Sequence, residues 1–236
     1  MKVNYQSVSE DWSSDAHASA INNLCRLLRD SSWHVVEEAA GALGNIGNPL
    51  AVDTLSMVIN HFDCCVQVSV IQALGKIGDP RAVGPLCEIL ENPSWHVCDV
   101  AIFALGKIGD SRAVGPLTRA LFNPESRVGV SAAFILGKLG DARAVGPLCR
   151  AMESSDGTLC RTAGFAFGII GGTLAVDLLC QMLAHWNDLT REVPASAIGN
   201  IRDSRAITYL WAKLGDPVET VRAAADKALA EINKYP

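Results

Sequence analysis

Apolar residues recur along most of the chain at intervals of three and four, the spacing that lines one face of a helix. Val66, Val70, Ala73, Leu74 and Ile77 form one such stripe, and Val97, Ala101, Ala104, Leu105 and Ile108 repeat it in the next helix. Gly78, Gly109 and Gly140 close these stripes, where glycine can take the positive φ of a helix C-cap. A shorter apolar segment precedes each stripe. Asp79, Asp110, Asp141 and Asp203 stand just before it, where a short side-chain oxygen caps free N–H groups, and Pro80 suits the first helical position. Pro85, Pro116 and Pro147 follow some five residues later, and each missing N–H should kink the helix or delay its regular part. Turns such as Asn92-Pro93 and Asn123-Pro124 end it. The pattern predicts pairs of antiparallel helices.

The pairs repeat. Gly44, Gly75, Gly106, Gly137, Gly168 and Gly199 are spaced by 31 residues without insertion. Around three of them the text is nearly identical, as in Gly75-Lys-Ile-Gly-Asp-Pro-Arg-Ala-Val-Gly-Pro-Leu86 and Gly106-Lys-Ile-Gly-Asp-Ser-Arg-Ala-Val-Gly-Pro-Leu117. A lone pair cannot bury its apolar face, so a fixed period of this length implies a stacked solenoid sharing one core. The expectation is an all-α superhelix of about seven pairs in a single domain over 16–236. Residues 1–15, with Ser, Asp and Asn prominent, read as a flexible tail whose Tyr5 and Trp12 dock back on the first pair. The sixth repeat departs most. Pro194 replaces Ala or Val, so the helix from about Asp188 should start late or kink, and Arg202 replaces the capping glycine.

Composition narrows the function. Hydrophobic residues make up 49% of the 236 and charged residues 19%, as in a folded chain with a sizeable core. The net charge of −5 argues against nucleic acid as a partner, which needs a basic stripe. No leader pattern and no apolar run long enough for a membrane span is evident, so a cytoplasmic protein with eight reduced cysteines is expected.

Because the repeats are in register, columns can be compared. One exposed-type column of the second helix reads Gly41, Gln72, Phe103, Phe134, Phe165, Ser196, Lys227. Second helices should line the concave face, so three phenylalanines where a polar residue is usual predict either an apolar strip there or rings tucked between repeats. A strip on three helices 8–10 Å apart would run on the order of 20 Å. One turn earlier come Asp99, Val130 and Arg161, and a turn before that His96 and Arg127, with Trp95 beside His96. Trp33-His34 and Trp95-His96 recur 62 residues apart, as do several cysteines, which points to a duplicated two-repeat unit. Cys25, Cys87, Cys149 and Cys180 share a column and read as small core residues. Cys64-Cys65 sits in a turn, with Cys65 placed near the mouth of the groove, which leaves a transient thiol or a metal role open, but adjacent cysteines alone lack the spacing of a zinc site and no metal is assigned.

The pattern Asp-x-Arg-Ala-Val-x-Pro-Leu, a turn, then Val-x-x-x-Ala-x-x-Ala-Leu-Gly-x-Ile-Gly resembles the HEAT-like repeat of the E/F-type phycobilin lyases and their relatives. That resemblance covers nearly the whole chain. It implies attachment or detachment of a linear tetrapyrrole (a bilin) at a cysteine of a phycobiliprotein subunit, commonly with a related HEAT-repeat subunit as heterodimer partner. The bilin would be a ligand, with no intrinsic cofactor. On this reading Asp99 engages pyrrole nitrogens, Arg127 and Arg161 pair with propionates, and the groove comprises Phe103, Phe134, Phe165, Asp99, His96, Trp95, Arg127, Arg161 and Cys65. A non-catalytic adaptor holding a partner protein uses the same repeat and is the alternative. Other chemistries lack their motifs. Di-iron HEAT hydroxylases use His-Glu pairs, whereas the five histidines here precede Ala18, Val35, Phe62, Val97 and Trp186. Phosphate loops, nucleophile elbows and His-Glu-x-x-His are missing too. Lyase relatives that also isomerise the bilin carry a motif beginning Asn-His-Cys, and Asn60-His61-Phe62 departs from it.

Overall fold

The computed structural model describes residues 15–185 and 191–233. The tail reading of residues 1–15, with Tyr5 and Trp12, falls almost wholly outside that range. Two compact units divide the chain, Met1–Pro85 and Leu86–Pro236. Among the described residues there are fourteen α-helices and no strand, so the all-α reading and the count of seven pairs hold.

The first unit contains α1 (Asp15–Leu27), α2 (Trp33–Ile46), α3 (Val52–Met57) and α4 (Cys64–Ile77). The helix α5 (Val83–Glu88) spans the division. The second unit continues with α6 (Trp95–Ile108), α7 (Val114–Ala120), α8 (Ser126–Leu139), α9 (Val145–Ala151), α10 (Gly157–Ile170), α11 (Thr173–His185), α12 (Glu192–Ile201), α13 (Ile207–Lys213) and α14 (Glu219–Asn233). Even-numbered helices are the second members of the pairs. In the second unit α6, α8, α10, α12 and α14 pack in that order, and in the first unit α2 packs on α4.

The local chemistry follows the predicted punctuation, with one refinement. Asp79, Asp110, Asp141 and Asp203 each accept a hydrogen bond from the backbone N–H two residues on, at 2.8–2.9 Å, and what they cap is a short 3-10 turn. The α-helix proper starts only after that turn, at Val83, Val114, Val145 or Ile207. Pro85, Pro116 and Pro147 therefore fall at the third residue of an α-helix, where no intrahelical N–H bond is lost. They delay the regular helix and introduce no kink. Arg81, Arg112, Arg143 and Arg205 fold back on the capping aspartates. The guanidinium also reaches the preceding repeat from Arg81, which donates to the Pro49 carbonyl at 2.7 Å, from Arg143, to that of Ser111 at 2.8 Å, and from Arg205, to Asp177 at 3.3 Å. These ties are solvent-exposed and hold direction more than free energy.

The core lies between the paired helices. Val66, Val70, Leu74, Val97, Ala101 and Leu105 are all fully buried, and each large side chain so placed contributes about 1.5–3 kcal/mol. Ile77 and Ile108, last in the predicted stripes, are only half-buried. Gly78, Gly109 and Gly140 take the expected left-handed caps, with φ of 74°, 75° and 69°. Arg202, which replaces the capping glycine in the sixth repeat, takes the same left-handed conformation at φ 58° without glycine's freedom. In that repeat α12 has ten residues against fourteen in α10, and Pro194 is its third residue. A late start thus accommodates the proline; position 188 itself lies outside the described residues.

The glycines of the 31-residue column serve packing. A Cβ built on Gly44 would stand 2.7 Å from the Ala73 Cα, one on Gly137 2.8 Å from the Ala166 Cα, and one on Gly199 3.0 Å from the Ala228 Cα. Neighbouring second helices meet backbone against backbone at these points. We expect Gly137→Ala to push α8 from α10 and cost about 1–3 kcal/mol in urea unfolding. Gly115→Ala, where a Cβ meets nothing within 4 Å, should be neutral or stabilise by up to about 1 kcal/mol.

Candidate binding face on the second helices

Stacking in register brings equivalent positions of α6, α8 and α10 side by side. Phe103, Phe134 and Phe165 are 42%, 47% and 50% exposed, so the rings stand on the surface of those helices and do not fill the space between repeats. Such exposure of three large apolar side chains at one column position is the kind of patch that marks an interaction site. Gln72, Ser196 and Lys227 in the same column are exposed as well.

Polar groups border the strip on both sides. Asp99 is half-buried, accepts a hydrogen bond from Ser131 Oγ, and has the Arg127 Nε 3.8 Å from its second oxygen. The Arg127 guanidinium carbon lies 4.9 Å from the centre of the Trp95 ring, a cation–π distance. Trp95, Asp99, Arg127 and Ser131 thus form one cluster across α6 and α8, with Asp99 holding Arg127. His96 is exposed, its ring 5.5 Å from that of Trp95. Arg161 is exposed one turn before Phe165. On the other border Lys107 and Lys138 are exposed one turn after Phe103 and Phe134, and Ile169 replaces the lysine after Phe165. A chain of net charge −5 therefore carries four cations around this strip.

Beyond Phe165 the surface deepens. A pocket of about 270 Å³ lies between α10, α12 and α14, with Phe165, Ser196, Asn200, Lys227 and Glu231 on its walls. A smaller one of about 130 Å³ lies beside it, bounded by Arg161, Phe165, Glu192, Val193 and Asn200. The sequence reading located the groove on the third to fifth second helices and missed this continuation. Asn200 shares a column with Lys107 and Lys138, and its change of type was the available signal. Ser131 was missed because nothing in the sequence says which hydroxyl faces Asp99.

Eight of the nine residues predicted for the groove belong to the second unit. Cys65 belongs to the first, at the start of α4, where it is exposed beside Cys64. The neighbouring Cys64 raises its thiol pKa, and burial, Asp63 and Glu37 add to the rise. The column cysteines divide: Cys180 is buried, as read, while Cys25, Cys87 and Cys149 are half-buried. Cys98 and Cys160 are buried, and their thiols donate to carbonyls of the preceding turn, at 3.1 Å to Asn92 and 2.9 Å to Met152. Burial pushes the thiols of Cys87, Cys98, Cys149, Cys160 and Cys180 up, which makes them poor nucleophiles.

The HEAT repeats family matches residues 12–63, 55–129 and 85–168, well over half of the chain. The chain belongs to the HEAT-repeat family. No curated protein matches it. Among solved structures it is similar to the complex of CpcE and CpcF of phycocyanin lyase from Nostoc sp. PCC7120, at 19% identity and a TM-score of 0.55, over 99% of this chain and 92% of that one. Two engineered proteins are also similar, one at 22% identity and a TM-score of 0.53 over 92% and 70% of the two chains, the other at 21% and 0.50 over 91% and 97%. At these identities the likeness is one of fold. Among the described residues no helix is long and apolar enough to cross a membrane.

One buried ion pair supports the pocket end of the face. Arg191, immediately before α12, donates to both oxygens of Asp216 at 3.0 Å, and their side chains are 11% and 3% exposed. Lys213 stands 3.7 Å away. The hydrogen bond from Arg191 holds the Asp216 carboxyl below the usual carboxylate range, with Val218 N–H and Lys213 assisting. A depressed folded-state pKa gives stability that is present above the unfolded value of about 3.9 and lost as pH falls through the folded one. Arg191→Ala, which leaves Asp216 buried and without this partner, is expected to cost about 3–5 kcal/mol in denaturant unfolding at neutral pH. The difference from wild type should shrink as pH falls below about 4.

Proposed function

We propose that the strip of Phe103, Phe134 and Phe165 binds a linear tetrapyrrole, and that the chain is a phycobilin lyase-like protein handling a bilin for attachment to or detachment from a phycobiliprotein subunit. The observation that carries this reading is the exposure of the three rings, at 42%, 47% and 50%, inside a border of cations. A strip on the order of 20 Å matches an extended ligand of conjugated rings. Arg127 and Arg161 supply guanidinium groups for carboxylates, and Lys107 and Lys138 face them across the rings. Asp99, held by Ser131, acts here as the positioning group for Arg127 more than as a direct partner of pyrrole nitrogens. The repeat text resembles that of the lyases, and the similar Nostoc structure is a complex of two chains, which favours a related HEAT-repeat subunit as heterodimer partner. The chain's contribution would be to hold and orient the chromophore.

A second reading has its own support. The pockets of about 270 and 130 Å³ are smaller than most enclosed small-molecule sites, and the strip itself is open, which suits an apolar helix of a partner protein. Under that reading the chain is a non-catalytic adaptor.

Mixing the purified protein with a bilin and following its absorbance tests the first reading. Binding is expected to weaken by about 5- to 30-fold in Phe134→Ala and in Arg161→Ala, about 1–2 kcal/mol each, with helix content unchanged. Co-expression with a bilin-producing system and a phycobiliprotein subunit separates the two readings. A covalently coloured subunit that depends on this chain supports the lyase reading, and a stable colourless complex supports the adaptor. No absorbance change with bilin sinks the first.

A further inference from the structure

The turn that opens α4 in the first unit plays no part in the function proposed above, yet it gathers metal-binding groups. Both thiols of Cys64 and Cys65 are free and exposed. Their sulfurs and a carboxylate oxygen of Asp63 all lie within 4.8 Å of one another. In the repeat register Trp33-His34, Trp95-His96 and Ser126-Arg127 occupy the same two positions, so the thiols are not required by the repeat. Being exposed, they contribute no packing either.

Neighbouring bonds fix the carboxylate. Asp63 caps α4, its Oδ1 accepting from the N–H of Cys65 at 2.8 Å and of Val66 at 3.3 Å, which leaves Oδ2 outside the cap. The Asp63 N–H in turn donates to His61 Nδ1 at 3.1 Å. That bond places the neutral ring's proton on Nε2, so His61 braces the turn and offers no lone pair to an ion. The donors are two sulfurs and one oxygen, a set suited to soft and borderline cations. Zinc takes thiolates at about 2.3 Å in tetrahedral geometry, which puts two sulfurs roughly 3.8 Å apart. The two sulfurs lie within 4.8 Å of each other, so an approach of at most about 1 Å reaches that spacing.

We propose that Asp63, Cys64 and Cys65 bind one divalent cation of the zinc class, with water or a donor from a partner in the fourth position. Each thiol releases its proton to solvent on binding, and the two thiolates balance the dication's charge. Affinity therefore falls as pH is lowered.

The test uses the full chain, freed of metal and kept reduced, titrated with Zn²⁺ against a chromophoric chelator and with Cd²⁺ by thiolate-to-metal charge-transfer absorption. One ion per chain and a cadmium–thiolate band are expected. Both should vanish in the Cys64→Ser, Cys65→Ser double variant, whose circular dichroism should match wild type because both side chains are exposed. Asp63→Asn keeps a capping oxygen but removes the charge, and should weaken Zn²⁺ at least about tenfold. Absence of the band, a double variant that binds like wild type, or unchanged affinity in Asp63→Asn overturns the assignment. None of these outcomes bears on the bilin experiment.

Discussion

Neighbouring second helices touch where a glycine of one meets an alanine of the next, and the rest of the architecture depends on that contact. Gly44 faces Ala73, Gly137 faces Ala166 and Gly199 faces Ala228, each too close for a side chain on the glycine. Backbones that approach so nearly cannot slide past one another without a clash, because close-packed interiors do not deform smoothly. These contacts set the register where they occur, and with no insertion anywhere in the period the register persists along each unit. Positions 31 apart then become neighbours in space, which turns a coincidence of spelling into a surface.

The first helices obey a weaker constraint. They have six or seven residues after their 3-10 turns in most repeats, too short to be stable alone. Their direction is set instead by the capped turn, where the aspartate holds its own arginine and that arginine reaches back to the preceding repeat. The sixth repeat lacks this short-turn entry and has a shortened second helix. There a buried pair, Arg191 with Asp216, ties the start of that second helix to the segment between α13 and α14. The pockets of the candidate face adjoin this irregular end, since Glu192 and Val193 on the wall of the smaller pocket directly follow Arg191.

The proposed function rests on departures from the repeat and not on the repeat. Phenylalanines replace polar residues in three successive copies, Ile169 replaces a lysine beside the last of them, and two cysteines replace Trp-His in another copy. Repetition makes such changes conspicuous, because every column supplies its own control. It also limits them, since each change must leave the glycine contact and the buried stripe intact.

The sequence by itself determined the helical pairs, their number and the caps at Gly78, Gly109 and Gly140, and it marked Pro194 and Arg202 as the departures of the sixth repeat. All of these follow from backbone preferences and from periodicity within some thirty residues. The column of phenylalanines was equally legible, but whether its rings pack inward or outward was not, because that depends on the rotation of each helix against its neighbours. Tertiary structure turned the rings outward. It also joined Ser131 to Asp99 and Arg127 to Trp95, paired Arg191 with Asp216, and opened the pocket beyond Phe165. Each of these joins residues 25 or more positions apart, in the hydrogen bonds of Arg191 and of Ser131, through side chains whose meeting no local rule encodes. The repeat states which residues are equivalent; only packing decides which of them touch.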